Sequence, residues 1–325
     1  MTDKKHNLNT IGIEIIGWGH YLPKRLVTNE EVNARITLET SSVDEKVIGN
    51  VGVSTRYWAD EEETVQFMSK MSGEEALQNA GVRPEEIDLL ILENWTERKY
   101  VPDLAPSVAS AIGAKNAMAF DMCTACCGFT TASTTASMYL LAHPRVKKVL
   151  VICTEQFSHR VRPGSKGELI VGDASAAFVL QRNKNTNSGI IDFELGNDGD
   201  LKDVVKVKMP EGWIKSKPEL AQVAADLNKR AIDAIFQRNH ISVKDIDWYV
   251  PHPGTQVVHE EIKNYIGLPE AKFIINFDRV ANVSSASIPL VISENVKTGK
   301  FKKGDVLMCP AIGSGIYYGA ILLRL

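Results

Sequence analysis

An internal repeat limits the fold of this chain more than any other feature of its sequence. Three kinds of segment occur twice in the same order: a helix-like run leading into a strand, a basic pair leading into an apolar strand, and a glycine-containing turn leading into another strand. The matched segments are 76–88 with 234–247, 146–151 with 301–307, and 172–180 with 313–323. One such likeness could be chance between amphipathic segments, but three in order predict two related α/β halves.

The halves are expected to meet in the polar stretch 181–188, which is rich in Asn, Lys and Ser. The prediction is therefore an N-terminal half over residues 1–182 and a C-terminal half over residues 183–325. Predicted helices and apolar strands alternate within each half, as α/β proteins require.

Cys126 stands where an apolar run ends and a helix begins. The segment 127–142 contains no proline, is rich in Ala, Leu and Thr, and stops before Pro144, so it is predicted to be a buried helix. A thiol at a helix start lies near unpaired backbone N–H groups and the positive end of the helix dipole, and both favour the thiolate. Cys126 is therefore the candidate nucleophile.

The other cysteines allow less reactive interpretations. Cys153 and Cys309 lie in apolar strands, where a free cysteine acts as a small hydrophobe. Cys123 and Cys126 form a C-x-x-C pair that could serve metal or redox chemistry, although no second pair accompanies it and Cys127 crowds it. Three of the five cysteines fall within five positions, so a disulfide framework is not expected and a reducing cytoplasm fits best.

Composition points to an ordinary folded protein. The 325 residues are 44% hydrophobic and 24% charged, with a formal net charge of −3, which gives no footprint for nucleic acid or for an anionic membrane. No apolar stretch approaches the ~20 residues of a membrane-spanning helix, and the first residues lack a signal-peptide core. We therefore expect a cytoplasmic protein.

Two loops of the second half offer partners for Cys126. His252 follows the apolar run 246–250, at the carboxyl end of a predicted strand where α/β proteins place their chemistry, and a proline on each side restricts its backbone. Asn282 opens a loop of small residues, 282–289, and its amide could donate a hydrogen bond to a developing oxyanion. Taken alone, an Asn in this setting is more often a turn or helix cap.

Together these segments resemble the thiolase-fold ketosynthases, and among them the β-ketoacyl-acyl-carrier-protein synthase III type. The likeness runs the full length of the chain and includes the C-terminal G-x-G with its strand. It also rests on four motifs in the expected order: A-C-x-G-F from Ala125, P-H at Pro251, N-x-S-x-A-S-I-P from Asn282 and G-D-x-x-A-A from Gly172.

The resemblance implies a five-layered αβαβα fold of two similar halves, a homodimer, and a catalytic triad of Cys126, His252 and Asn282. In the family the cysteine takes an acyl group from a thioester carried on coenzyme A or acyl carrier protein. His and Asn then bind a malonyl-type thioester whose decarboxylation gives the carbon nucleophile. This chemistry needs no metal and no cofactor.

Several positions depart from the family. A Trp and an Arg that hold the coenzyme A adenine are replaced by Lys46 and Asn50, and an Arg linked to carrier docking is replaced by Val257. Ala105 stands where an aromatic residue lines the acyl pocket, which predicts a wider tunnel. Substrate contacts are expected from Ala105 and from Gly313, Ser314 and Gly315. The departures predict a specialised relative in fatty-acid or polyketide-like secondary metabolism.

Other activities stay open at this point. Cys126 could pass its acyl group to an alcohol or amine without condensation. Non-decarboxylative Claisen chemistry would need an additional base, for which Glu97 is the only local carboxylate, although a solvated loop position suits Glu97 better. A non-catalytic partner subunit would have lost a triad residue, and all three are present.

Overall fold

A computed structural model describes residues 8–37, 45–183, 187–267 and 269–325 of the protein. The strands are β1 (Ile13–Tyr21), β2 (Arg25–Thr28), β3 (Thr55–Trp58), β4 (Leu89–Glu93), β5 (Met118–Met122), β6 (Lys148–Gln156), β7 (Asp173–Arg182), β8 (Gly189–Asn197), β9 (Val205–Lys208), β10 (Trp213–Ser216), β11 (Trp248–Tyr249), β12 (Val306–Gly313) and β13 (Tyr317–Arg324). The helices are α1 (Asn29–Arg35), α2 (Glu45–Val51), α3 (Val65–Ala80), α4 (Ala105–Ile112), α5 (Gly128–Ala142), α6 (Leu220–Asn239), α7 (Gln256–Ile266), α8 (Phe277–Val280) and α9 (Ser287–Lys297).

The two main sheets share one pairing pattern. The first has the order β1-β7-β6-β4-β5, antiparallel at its first two junctions and parallel at the next two. The second has the order β8-β13-β12-β11, also antiparallel twice and then parallel, and a parallel bridge from Tyr249 to Phe273 extends it. The repeated sequence segments occupy equivalent places, since β6 matches β12 and β7 matches β13.

These sheets and the helices make five layers. Helices α3 and α4 pack on the outer face of the first sheet, and α6 packs on the second sheet with α7 against it. Helix α5 contacts strands of both sheets, and α9 packs against β1 and β7. The αβαβα fold of two similar halves is thereby confirmed. The boundary at residue 182 lies between β7 and β8 and stays a prediction, because part of the predicted seam, residues 184–186, lies outside the described residues.

Local sequence explains the helices that frame the site. Thr64 caps α3 by accepting a hydrogen bond from the Phe67 N–H at 3.2 Å, and Gly81 ends the helix in the left-handed conformation. Helix α5 has small and apolar residues on most of its faces because it runs between two sheets and has little contact with water.

The largest core cluster lies between the sheets. Phe129 of α5 is fully buried there, with its ring centroid 6.5 Å from that of Trp18 and 5.3 Å from that of Phe178. Cys153 and Cys309 are completely buried in β6 and β12, as their apolar surroundings predict. Within the described ranges, no helix is both long enough and apolar enough to cross a lipid bilayer.

Candidate active site

A cavity of about 990 Å³ opens where the two halves meet, and it brings together residues far apart in sequence. Cys126, His252 and Asn282 all line it. Apolar walls surround these three side chains, formed among others by Phe157, Val161, Ile170, Trp213, Ile214, Leu220, Val258 and Ile312. Basic side chains also border the cavity, namely Arg162, Lys208 and Lys215. A polar triad in a largely apolar cavity is the usual form of a ligand site.

Cys126 lies in a tight 3₁₀ turn, Ala125–Cys127, between β5 and α5. Ala125 adopts a positive φ of 51°, a strained conformation for a residue with a side chain. Glu93, at the end of β4, accepts a hydrogen bond from the Thr124 N–H at 2.6 Å, which holds the start of the turn. A Cβ at Gly128 would lie 2.1 Å from Glu93 Cγ, so only glycine lets α5 begin this close to the carboxyl.

The thiol of Cys126 is less acidic than its place before a helix predicts. Burial raises the pKa of Cys126 to about 12, while a hydrogen bond with Ser284 opposes that rise. The prediction that the helix start lowers the pKa of Cys126 is therefore wrong, because the pKa is raised overall. The physical reason is that withdrawal from water outweighs the field of a helix end at this position.

His252 follows β11, as predicted, and is 4% exposed. Its backbone N–H donates to the Pro310 carbonyl at 3.0 Å, which fastens the loop to β12. Burial lowers the pKa of His252 to about 4, so the imidazole is neutral at pH 7 and offers one N–H donor and one acceptor. Its Nδ1 is buried and has no hydrogen-bond partner within the described part of the chain.

Asn282 is oriented by its own loop. Its Oδ1 accepts a hydrogen bond from the Ser284 N–H at 2.9 Å, and its backbone N–H donates to the Ile170 carbonyl at 2.8 Å. The side-chain Nδ2 lies 3.5 Å from the Gly254 carbonyl oxygen, a long contact beside the His252 loop. With its oxygen already occupied, the amide presents N–H donors to a ligand.

Two of the four predicted substrate-binding residues line the cavity, namely Gly313 and Ser314. Gly315 does not; it has a φ of 83° and forms the turn between β12 and β13, where its carbonyl accepts a hydrogen bond from Asn197 Nδ2. Ala105 is also absent from the cavity wall. It is the first residue of α4, its side chain is fully buried in the core, and its N–H donates to Asp121 Oδ1 at 2.7 Å. A substrate contact from Ala105 is thus not supported within one chain and stays a prediction.

The residues considered for other chemistry lie elsewhere. Glu97 does not line the cavity, and its carboxylate lies 3.4 Å from Lys99 Nζ, as suits a surface loop. Cys123 is exposed, three residues before Cys126. Over the residues that the structure describes, no group of three or more His, Cys, Asp or Glu side chains is placed to hold a metal ion.

Sequence reasoning missed several groups at the site. Trp95, Glu155 and Ser284 are buried beside Cys126, and the β9–β10 hairpin contributes Trp213 and Ile214 to the cavity wall. Burial raises the pKa of Glu155 to about 7 and that of Glu93 to about 8. Ser284 belongs to a motif that the sequence did reveal, but nothing near Trp95 in the sequence marks it as a neighbour of Cys126.

A cysteine on a turn before the central helix of five αβαβα layers is the arrangement of a thiolase-fold enzyme. Residues 120–199 match the family 3-Oxoacyl-[acyl-carrier-protein (ACP)] synthase III, and residues 236–325 match 3-Oxoacyl-[acyl-carrier-protein (ACP)] synthase III C terminal. The chain is 33% identical to a β-ketoacyl-[acyl-carrier-protein] synthase III of Ehrlichia canis, over 96% of this chain and 98% of that protein.

Comparison with solved structures leads to the same family. The crystal structure of 3-oxoacyl-[acyl-carrier-protein] synthase III from Aquifex aeolicus superposes with a TM-score of 0.89 at 30% identity, covering 97% of this chain and all of that one. The priming β-ketosynthase of the R1128 polyketide pathway gives a TM-score of 0.87 at 26% identity, over 98% of this chain and 97% of that one. The chain therefore belongs to the 3-oxoacyl-[acyl-carrier-protein] synthase III family of acyltransferases, which form carbon–carbon bonds.

Proposed function

We propose that the protein joins an acyl group held on Cys126 to a malonyl-type thioester by decarboxylative Claisen condensation. The observation that carries this proposal is that Cys126, His252 and Asn282 line one cavity. Its first step is attack of the Cys126 thiolate on an acyl thioester, which forms a new C–S bond while the carrier thiol departs. Backbone N–H groups of the cavity wall, where Gly313 and Ser314 lie beside Cys126, stabilise the oxyanion that forms on the attacked carbonyl.

The second step uses the two donors of the C-terminal half. The neutral imidazole of His252 and the amide of Asn282 donate to the thioester carbonyl of the second substrate. As carbon dioxide leaves, enolate charge grows on that oxygen, where both donors act. The enolate carbon attacks the acyl thioester, a C–C bond forms, and the electron pair of the breaking C–S bond returns to Cys126.

Intact-protein mass spectrometry after incubation with a panel of acyl thioesters tests the first step. The wild type should gain one acyl mass, C126A should gain none, and C123A should load as the wild type does. Peptide mapping that places the label on Cys123 or Cys127 would contradict the assignment of the nucleophile.

Single-turnover kinetics test the second step. H252A and N282A should slow condensation by about 10²–10³ per lost donor and impair acyl loading much less. Equal defects in both steps would instead favour acyl transfer to an alcohol or amine without condensation.

The surface formed by α2 and the start of α7, next to the cavity residues Thr255 and Val258, supports a carrier protein over coenzyme A as the acyl donor. Lys46 and Asn50 are exposed on α2, at the positions where the family resemblance implies a Trp and an Arg, and Val257 is 44% exposed on the neighbouring α7. The aromatic stacking surface and the guanidinium groups are therefore missing. Point charges for a donor phosphate come from the basic cavity residues Arg162, Lys208 and Lys215.

Comparing kcat/KM for one acyl chain on coenzyme A and on carrier proteins tests this choice. We expect the carrier form to be preferred, and V257R to improve use of the carrier further by restoring a docking charge. A strong preference for coenzyme A would contradict the proposal.

The size of the cavity supports acyl groups larger than acetyl. Its volume of about 990 Å³ lies at the upper end of the roughly 300–1,000 Å³ usual for ligand pockets. Together with the likeness to a polyketide priming enzyme, this supports a role in fatty-acid or polyketide-like secondary metabolism. The acyl panel decides the point, because fastest loading by acetyl would contradict it.

A homodimer is supported by the free edge of the first sheet. Strand β5 ends that sheet, and Met118 on it is 60% exposed. On α5, which follows β5 in the chain, Met138 and Leu141 are 46% and 47% exposed. An exposed apolar edge of this kind favours pairing with a second copy. Sedimentation should show a dimer that M118E weakens, whereas M209E, on a distant exposed turn, should not. A monomeric wild type would contradict the proposal.

A cytoplasmic location of the protein stays a prediction.

A further inference from the structure

Two consecutive hydrogen bonds connect the indole of Trp95 to the sulfur of Cys126. Trp95 Nε1 lies 2.8 Å from Ser284 Oγ, and Ser284 Oγ lies 3.3 Å from Cys126 Sγ. Ser284 is 1% exposed and Trp95 is 9% exposed, so water does not compete freely for either bond. The three residues come from three separate parts of the chain.

The chemistry of the groups sets the direction of these bonds. An indole N–H can only donate, so Ser284 Oγ accepts from Trp95 and keeps its own hydrogen for another acceptor. A thiolate can only accept. We propose that Ser284 is a further catalytic residue, which donates its hydroxyl hydrogen to the Cys126 thiolate, and that Trp95 is the positioning residue that aims this hydroxyl.

The Glu155 carboxyl hydrogen-bonds to the loop that carries Trp95 and to the loop that carries Ser284. Its Oε2 accepts hydrogen bonds from the backbone N–H groups of Trp95 at 3.3 Å and Thr96 at 3.2 Å, and its Oε1 accepts from Ser285 Oγ at 2.7 Å. The Trp95 ring also packs edge-on against Phe157, with 5.0 Å between the ring centroids. One buried carboxyl thus ties the loop that carries the indole to the loop that carries the hydroxyl.

The backbone at Ser284 is held in an unfavourable conformation. Its φ of 52° lies in the left-handed region, like the φ of 51° at Ala125 just before the nucleophile. Strain of this kind persists only where the surrounding contacts maintain it, and it is common where a side chain must be aimed at a reacting atom. Here it accompanies the contact between Ser284 Oγ and Cys126 Sγ.

The inference rests on the proposed function, in which the thiolate occurs twice. In loading, Cys126 releases its proton, attacks the thioester and forms the acyl–sulfur bond, and the released proton ends on the departing carrier thiol. In condensation that bond breaks and its electron pair returns to the sulfur. Because burial raises the pKa of Cys126, a donor that stabilises the anion assists both steps.

Alkylation of the free enzyme tests the inference without any acyl substrate. Second-order rates with iodoacetamide are measured from pH 6 to 10, and the Cys126 peptide is quantified by mass spectrometry. S284A should slow alkylation of Cys126 by about 10–100-fold at each pH, since the lost bond to a charged group corresponds to one to two pKa units. Cys123, exposed three residues away, serves as the internal control and should not change.

Variants of tryptophan separate positioning from packing. W95F keeps a packed ring, removes the N–H and should slow alkylation of Cys126 by a smaller factor than S284A does. In the double variant S284A/W95F, alkylation of Cys126 should be no slower than in S284A. W248F is the matched control, because it removes an indole bond to Asp305 Oδ2 that has no contact with the nucleophile. The bulkier N-ethylmaleimide should report the same factors as iodoacetamide, because both probes react with the thiolate.

Three results would overturn the inference: a folded S284A alkylated within twofold of the wild type, single-variant effects that multiply in the double variant, or factors that differ between the two probes. If S284A does not fold, W95F against W248F decides, and equal rates in these two variants reject the role of Trp95. Failure of acyl loading in the wild type would overturn the proposed function and leave these alkylation rates interpretable.

Discussion

Replacing Gly313 by alanine should move the nucleophile. The added Cβ would lie 2.5 Å from the Thr124 carbonyl oxygen, 2.8 Å from Cys127 N and 3.1 Å from Cys126 N. An ordinary van der Waals contact of a Cβ is 3.4–4 Å, so the added Cβ and the Thr124 oxygen must separate by roughly 1 Å. Gly313 is held in register with Tyr317 of the neighbouring β13, so we expect the turn that carries Cys126 to shift instead.

A displacement of this size has two measurable effects in G313A. Misplacing a reacting group by ~1 Å lowers a rate by about 10², so single-turnover acyl loading of Cys126 should fall by about that factor. Overpacking should also lower the free energy of unfolding by about 1–3 kcal/mol, as measured by urea denaturation. G199A is the matched control, because a Cβ at Gly199 meets no atom within 4 Å and its φ is not positive.

The outcome that refutes this reasoning is a G313A enzyme that loads acyl groups as fast as G199A. It would mean that β12 and the nucleophile turn adapt to the methyl group without moving the sulfur. A G313A enzyme that loses stability but keeps its rate would show that the close approach serves packing alone.

Three further predictions concern stability. Burial raises the pKa of Glu93 to about 8, so the native state keeps a proton that the unfolded state releases near pH 4.5. The free energy of unfolding should therefore fall as pH rises from 4.5 to 8, by at most about 5 kcal/mol. In urea titrations the free energy of unfolding of E93Q should fall less over the same pH range. A steeper fall in E93Q would contradict this sign. F129A removes a fully buried ring between the sheets and should cost about 3–5 kcal/mol by the same measurement, and a loss below about 1 kcal/mol would show that the core closes over the cavity. T64A deletes the cap of α3 and should lower the free energy of unfolding by about 1 kcal/mol, whereas T64S should restore it.

The local pattern of the sequence was sufficient to predict two related α/β halves, while the five-layered arrangement was predicted from the family resemblance. Repeated segments predict two related halves, and they occupy equivalent strands in the two sheets because hydrophobic period and turn residues determine which segments become strands and helices. The place of Cys126 between a strand and a buried helix, and that of His252 after a strand, follow from the same local information. The family resemblance then added the triad, which one cavity unites.

Contacts between residues that are far apart in the sequence were decided only by the tertiary structure. The contact from Trp95 to Ser284 spans 189 positions, and no local preference of either residue encodes it. Ala105 begins α4 and its side chain packs in the core of the first half, so its predicted substrate contact stays a prediction. The pKa of Cys126 rises where the helix position alone predicts a fall. Burial is a property of everything packed around a group, and a sequence specifies that environment only through the fold as a whole.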